Sequence, residues 1–443
     1  MDPKKALNFK INGGKELTGE IKVNTAKNSA VALLCASLIN KGTTTLKRVP
    51  RIEEVFRIIE VLESIDVKAE WKSEHTLKIT PPKKIDLSKI DKEAGMRTRS
   101  IIMFIGPLVN KLDHFKIPQA GGCKLGSRTV KPHFYALEPL GVNIEATKEA
   151  YDVKASKNLK QDKKVVLYES GDTVTENLIM AASLIPGKTE IRFASANYQV
   201  QDLCHFLKKL GVEIEGIGST NLTIKGVEEI NQDIEFSLSE DPIEAMLFLS
   251  IAATTNSEIE IKGAPVDFIE LELLKLEKMG FKYEITNEYK SENGFRDLID
   301  IKTKKSELES LDEKISARPF PGLNIDNLPF FVPVAARAKG QTLIHDWVYE
   351  NRAIYYMELT KLNADMILAD PHRVYIKGPT KFKAAEVICP PALRPAAIIL
   401  IGILAAPGES ILRNVYSINR GYEDLAKRLR TIGADVKMIE NND

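Results

Sequence analysis

The sequence is short of several things, and each shortage closes a class of function. It has no surplus of basic charge: Lys and Arg number 62 against 61 Asp and Glu, a formal net charge of +1. A protein that grips nucleic acid through a broad cationic surface needs such a surplus, so no nucleic-acid partner is expected. Cysteine is scarce. Cys35, Cys123, Cys204 and Cys389 lie far apart and form no CxxC pair. That argues against a disulfide framework and for a reducing compartment. The six histidines include no HExxH and no ligand-spaced cluster, so no metal is expected, and no other cofactor motif is present. No apolar run reaches the roughly 18 residues of a membrane span. The longest, 396–406, is interrupted by Gly402. The first ten residues show no apolar core and no cleavage signature, so a cytoplasmic protein without a membrane partner is expected.

What the chain does have is bulk and repetition. It has 443 residues, 44% of them in the set AVILMFWYC, which supports two large domains. A terminator of the form Leu-x-x-hydrophobic-(Gly, Asp or Asn)-hydrophobic recurs six times, starting at Leu62, Leu137, Leu207, Leu276, Leu359 and Leu429. Successive starts are 75, 70, 69, 83 and 70 residues apart, an internal repeat. Its fifth position holds Asp66, Gly141, Gly211, Gly280, Asn363 and Gly433. All three residue types tolerate the left-handed turn that ends a helix.

Six helices that are apolar on most faces accompany the repeats, at 28–38, 99–109, 176–184, 244–253, 328–336 and 395–405. Each should be buried inside a domain. Amphipathic helices such as 52–65 and 200–210 should cover sheets, and stretches such as 43–47 and 189–193 alternate as half-buried strands. The expected architecture is α/β: two domains, each of three helix–strand units. Residues 25–238 form the first, and residues 239–443 with 1–24 form the second. The strands near 9–11 and 19–23 precede the first helix and are expected to close the second domain.

Chemistry is expected in Ile117-Pro-Gln-Ala-Gly-Gly-Cys-Lys-Leu-Gly-Ser-Arg-Thr-Val-Lys-Pro-His133. Two glycines precede Cys123, and Lys124 and Arg128 flank Gly126. Cations beside a thiol favour the reactive thiolate. With Pro118 and Pro132 at its ends, the segment reads as a loop. Cys35, Cys204 and Cys389 read as packing residues.

Four motifs in order, Val23-Asn-Thr-Ala-Lys-Asn-Ser-Ala30, Gly-Gly-Cys-x-x-Gly-x-Arg, Glu350-Asn-Arg352 and Asn419-Arg-Gly-Tyr-Glu423, resemble the enolpyruvyl transferases, in particular those acting on UDP-N-acetylglucosamine. The likeness covers essentially the whole chain. It implies two inside-out α/β domains with the active site in the cleft between them. The implied reaction moves the enolpyruvyl group of phosphoenolpyruvate to the 3-hydroxyl of UDP-N-acetylglucosamine, the first committed step of peptidoglycan synthesis.

A site for phosphoenolpyruvate needs several fixed cations for its phosphate and carboxylate. The resemblance assigns Lys27, Arg128, Arg394 and Arg420 to that task. It gives Asn28, Arg99, Arg128, Asp326 and Arg352 to the nucleotide sugar. Cys123 becomes the acid that protonates C3, or a nucleophile at C2, and the target of the epoxide fosfomycin. Asp326 becomes the acceptor of the sugar-hydroxyl proton. For Asp326 and Asn28 the alternative is a helix cap.

Two positions depart from the family. Ala392 stands where Asp-Leu-Arg would put an acid before Arg394, and Lys131 replaces an Asp that would face the uracil. They keep two other readings in view: transfer to shikimate 3-phosphate, and a paralogue that binds a nucleotide sugar without turnover.

Overall fold

The computed structural model describes residues 7–121, 129–156, 159 and 162–440. Among these the chain divides into two compact units, one of residues 25–121 and 129–239 and the other of residues 7–24 and 240–440. Each unit carries three small sheets. The five four-stranded sheets each have one parallel edge pair, and their other pairs are antiparallel. Thr18–Lys22 runs parallel to Glu258–Pro265, and Ile234–Ser237 runs parallel to Thr44–Lys47. Leu7–Gly13 lies antiparallel between Gly408–Arg413 and Asp435–Glu440. The first strand therefore completes the last sheet, and the chain passes between units after Asn24 and after Ser239.

The six repeat terminators end as their residue types require. Asp66, Gly141, Gly211, Gly280, Asn363 and Gly433 all have positive φ, between 63° and 94°. At each the backbone turns out of a helical segment and enters a strand. A β-branched residue there would be strained.

The helices are inside and the sheets outside. In the unit of residues 240–440, the helices Pro242–Thr255, Phe331–Arg337 and Leu393–Ala405 pack on one another. Residues 242–254 of the first and 393–404 of the last are buried throughout. Each buried Leu, Ile or Phe contributes about 1.5–3 kcal/mol relative to exposure. In the other unit, Lys27–Ala36, Asp172–Ala182 and Tyr198–Lys209 play the same part.

Three sequence expectations are corrected. The apolar helix expected over 99–109 is a 3-10 segment, Arg99–Phe104, followed by one α turn, Ile105–Leu108. The Asn177 side chain causes this. Its Nδ2 donates to the Ile102 carbonyl at 3.1 Å, and its Oδ1 accepts from the Gly106 amide at 2.7 Å. It thus replaces the i→i+4 bond an α-helix would make there. A Cβ on Gly106 would lie 2.4 Å from the Asn177 backbone oxygen. The helix expected over 328–336 likewise opens as the 3-10 turn Leu328–Phe330 and continues as Phe331–Arg337; Pro329 and Pro333 lack the amides that a continuous α ladder needs. Finally, Pro132 does not bound a loop. It lies in the first turn of the helix Lys131–Leu137, where a missing amide costs nothing.

Glu176 is a buried acid in the helical core of the first unit, 1% exposed. Burial, then the nearby Asp172, push it well above the ordinary carboxylate range; Gln199 opposes the shift and Asp202 adds to it. Above about pH 4.3, the usual glutamate value, the folded chain keeps a proton that the unfolded chain releases. Stability therefore falls as pH rises. Glu176→Gln is expected to melt a few degrees higher than the parent at pH 7.5 and at the same temperature near pH 4. A shift of equal size at both values in a thermal scan would contradict the linkage.

Candidate active site

The candidate site residues of the second unit are grouped around Asp326. The turn before it is built by side chains: Asn324 Oδ1 accepts from the Asp326 amide at 2.8 Å, and Glu272 accepts from Asn327 Nδ2 at 2.7 Å. Glu272 is buried, and burial raises its pKa while Asn327 opposes the rise. The segment is thus tied to the helix Glu270–Lys278. The following 3-10 turn has Asn327 at its N-cap and no side-chain cap, so Asp326 is not spent on capping.

Its carboxylate faces two guanidinium groups instead. Arg394 Nη2 donates to Asp326 Oδ2 at 3.2 Å, and Arg352 Nη1 lies 3.7 Å from Oδ1. Arg394, in the first turn of Leu393–Ala405, also donates from Nη1 to the Tyr422 hydroxyl at 2.7 Å. Tyr422 is buried two residues after Arg420, which is half-buried at the end of the short helix Tyr416–Asn419.

Arg352 is 1% exposed, and all three of its nitrogens point at protein oxygens. It makes a two-pronged pair with Asp346, Nε–Oδ2 2.6 Å and Nη2–Oδ1 2.8 Å, and also donates to the Ile325 carbonyl at 2.8 Å. Burial works against its charge, but Tyr356 and Asp346 outweigh that and hold Arg352 firmly protonated. Removing one member of such a pair costs about 3–5 kcal/mol, because the other is left charged in the interior.

Asp241 stands near this group. It caps Pro242–Thr255 by accepting from the Ile243 amide at 2.8 Å. Burial raises its pKa to about 6; Arg394 pulls the other way and Glu244 adds to the rise. Glu244 is itself paired with Arg428 and accepts from the Asn24 amide at 2.5 Å.

In the first unit, Lys27 is the first residue of Lys27–Ala36, a helix with no side-chain cap. Its amides and dipole favour an anion at that end. Lys27 Nζ is 3.9 Å from Glu54, and Glu54 accepts from the Thr98 hydroxyl at 2.8 Å. The neighbouring Arg99 donates to the Thr129 carbonyl at 3.3 Å. Burial, with Arg99 adding to it, lowers the pKa of His133 to about 3, so that ring is neutral. Asn28 does not cap either. Its Nδ2 donates to the Tyr198 hydroxyl at 3.1 Å and to Gln199 Oε1 at 3.2 Å.

The structure therefore brings Asp326, Arg352 and Arg394 together, and it places Lys27, Asn28 and Arg99 in the other unit. Cys123 and Arg128 lie outside the described residues. The remaining thiols are buried. Burial raises the pKa of Cys204 to about 12, with Glu176 and Asp202 adding to it, and that of Cys389 to about 12. Cys35 is driven higher still, by burial first and then Glu176. Such thiols are inert at neutral pH. Among the described residues no His, Cys, Asp and Glu group could hold a metal ion.

Sequence reasoning missed Asp346, Tyr356, Gln199 and Asp241. Asp241-Pro242 could have been read as a cap followed by proline at the first helical position. Tyr422 lay inside a motif already quoted. Asp346 offered no local signal.

A family profile described as EPSP synthase (3-phosphoshikimate 1-carboxyvinyltransferase) matches residues 11–429. The chain is 33% identical over 434 residues to UDP-N-acetylglucosamine 1-carboxyvinyltransferase of Treponema denticola, covering 97% of this chain and 99% of that one. It is 32% identical to UDP-N-acetylglucosamine 1-carboxyvinyltransferase 1 of Legionella pneumophila, covering 98% and 83%. Among solved structures, the enolpyruvyl transferase NikO from Streptomyces tendae superposes with a TM-score of 0.85 at 20% identity, covering 98% of this chain and 99% of that one. An EPSP synthase from Acinetobacter baumannii gives 0.76 at 18%, covering 98% and 100%. These two establish the fold alone. With relatives matched over nearly its whole length, the chain belongs to the UDP-N-acetylglucosamine 1-carboxyvinyltransferase family of enolpyruvyl transferases.

Proposed function

We propose that this chain transfers the enolpyruvyl group of phosphoenolpyruvate to the 3-hydroxyl of UDP-N-acetylglucosamine and releases phosphate, a step toward peptidoglycan. Asp326 takes the hydroxyl proton as the sugar oxygen bonds to C2, and Cys123 delivers a proton to C3. The tetrahedral adduct then loses phosphate from C2 while the Cys123 thiolate takes a proton back from C3, which restores the double bond. Phosphoenolpyruvate is assigned to Lys27, Arg128, Arg394 and Arg420. The nucleotide sugar is assigned to Asn28, Arg99, Arg128 and Asp326, with Arg352 behind Asp326.

The observation that carries this reading is the Asp326 carboxylate: it is a quarter exposed, caps no helix and is aimed by Arg394, in a chain matched throughout by carboxyvinyltransferases. A cytoplasmic location is part of the proposal, and the unpaired, buried Cys35, Cys204 and Cys389 fit it. Among the described residues no helix is long and apolar enough to cross a membrane.

Ala392 favours a second reading. It is buried at the N-cap of Leu393–Ala405 and offers no side-chain acceptor there. A chain lacking that acid could bind a nucleotide sugar without turning it over. Phosphate release from phosphoenolpyruvate should require UDP-N-acetylglucosamine and be absent with either compound alone. Release with shikimate 3-phosphate instead would reassign the acceptor. Saturable binding of the nucleotide sugar with no release would establish the second reading.

A further inference from the structure

We propose that Asp346 is a positioning residue for the transfer reaction: through Arg352 it fixes both the backbone and the carboxylate of Asp326. The inference rests on the proton-accepting role given to Asp326 above.

The chain of contacts is continuous. The Tyr356 hydroxyl donates to Asp346 Oδ2 at 2.5 Å. Asp346 holds Arg352 by two charge-assisted bonds, at 2.6 and 2.8 Å. Arg352 then reaches the Ile325 carbonyl at 2.8 Å and Asp326 Oδ1 at 3.7 Å. Asp346, Arg352 and Tyr356 are 0%, 1% and 0% exposed, so none of them can meet a substrate in this arrangement. The Tyr349 ring lies against the Arg352 guanidinium, 4.3 Å from its carbon to the ring centroid. The backbone of Asp346 is held as well: its amide donates to the His372 carbonyl at 2.7 Å, and its carbonyl lies 3.0 Å from His372 Nδ1.

The planar fork of Arg352 explains why an arginine is needed here. One edge is saturated by Asp346, which leaves only the remaining N–H directions for Ile325 and Asp326. A lysine has no planar edge of two donors with which to hold Asp346 in a two-pronged pair. Arg394 grips the other carboxylate oxygen, and Tyr422 orients that arginine. Asp326 is therefore aimed from both sides, and the aim on the Arg352 side originates at Asp346. Misplacing a reacting group by about 1 Å can cost a hundredfold in rate.

The test is a double-mutant cycle on the full chain, read as phosphate release per folded enzyme. Asp346→Asn should lower kcat at least tenfold while KM for both substrates stays within about threefold. In an Asp326→Asn background the same change should have no further effect on kcat. Multiplicative losses in the double variant would overturn the proposal, as would a parent-like kcat in Asp346→Asn. If Asp346→Asn does not fold, Tyr356→Phe takes its place: it keeps the ion pair, removes one bond to Asp346, and should lower kcat two- to fivefold in the parent only. An Asp326→Asn variant with normal turnover would instead sink the underlying role of Asp326.

Discussion

Asp326→Asn is expected to lower kcat for phosphate release by about 10²–10⁴-fold, the usual range for losing a general base, and to leave KM for the nucleotide sugar nearly unchanged. The amide keeps the size of the side chain and can still accept from Arg394, so the turn built by Asn324 and Glu272 should survive. What is lost is the negative charge that takes a proton. Asp326 lies opposite two guanidinium groups. A variant that binds the acceptor poorly but turns over normally would give Asp326 a purely positional part.

Cys123→Ser is the second large effect, with an expected fall in kcat of the same order. A thiol has a pKa near 8.5 and is lowered by neighbouring cations. A serine hydroxyl is a far weaker acid, and it cannot hand a proton to C3 at a comparable rate. Cys123 is followed by Lys124 and, four residues later, by Arg128. Every other cysteine is buried, with its thiol held far from ionisation. Fosfomycin should therefore label Cys123 alone, as read by peptide mass spectrometry, and Cys123→Ser should take up no label. A label on Cys204 or Cys389 would contradict the assignment. Normal turnover in Cys123→Ser would remove the thiol from the mechanism.

Much of the fold was legible before any coordinates because its signals are local. The six helix terminators could be read because a left-handed turn selects Gly, Asn or Asp at one position, whatever surrounds it. The buried helices could be read because they lack a polar face. Both signals fail where distant groups interfere. The segment after Arg99 is apolar and looks helical, yet Asn177, more than 70 positions away, bridges Ile102 and Gly106 and breaks the ladder.

The site divides in the same way. Asp326, Arg394 and Lys27 could be proposed from motifs, since each stands at the start of a helical segment next to a recognisable string. Whether Asp326 and Asn28 were caps or functional groups could not be read from those strings. A cap and a ligand contact ask for the same residue types at the same place. The geometry excludes the cap for both: Asp326 turns to Arg394 and Arg352, and Asn28 to Tyr198 and Gln199.

The sequence by itself determined the sixfold repeat, the buried character of its helices and the family to which the motifs point. Those depend on the preferences of a few consecutive residues. Only the tertiary structure decided that Arg352 is an interior group and that Asp346 is its counter-ion. Burial and charge pairing belong to the packed molecule, where the neighbours of a side chain come from remote parts of the chain.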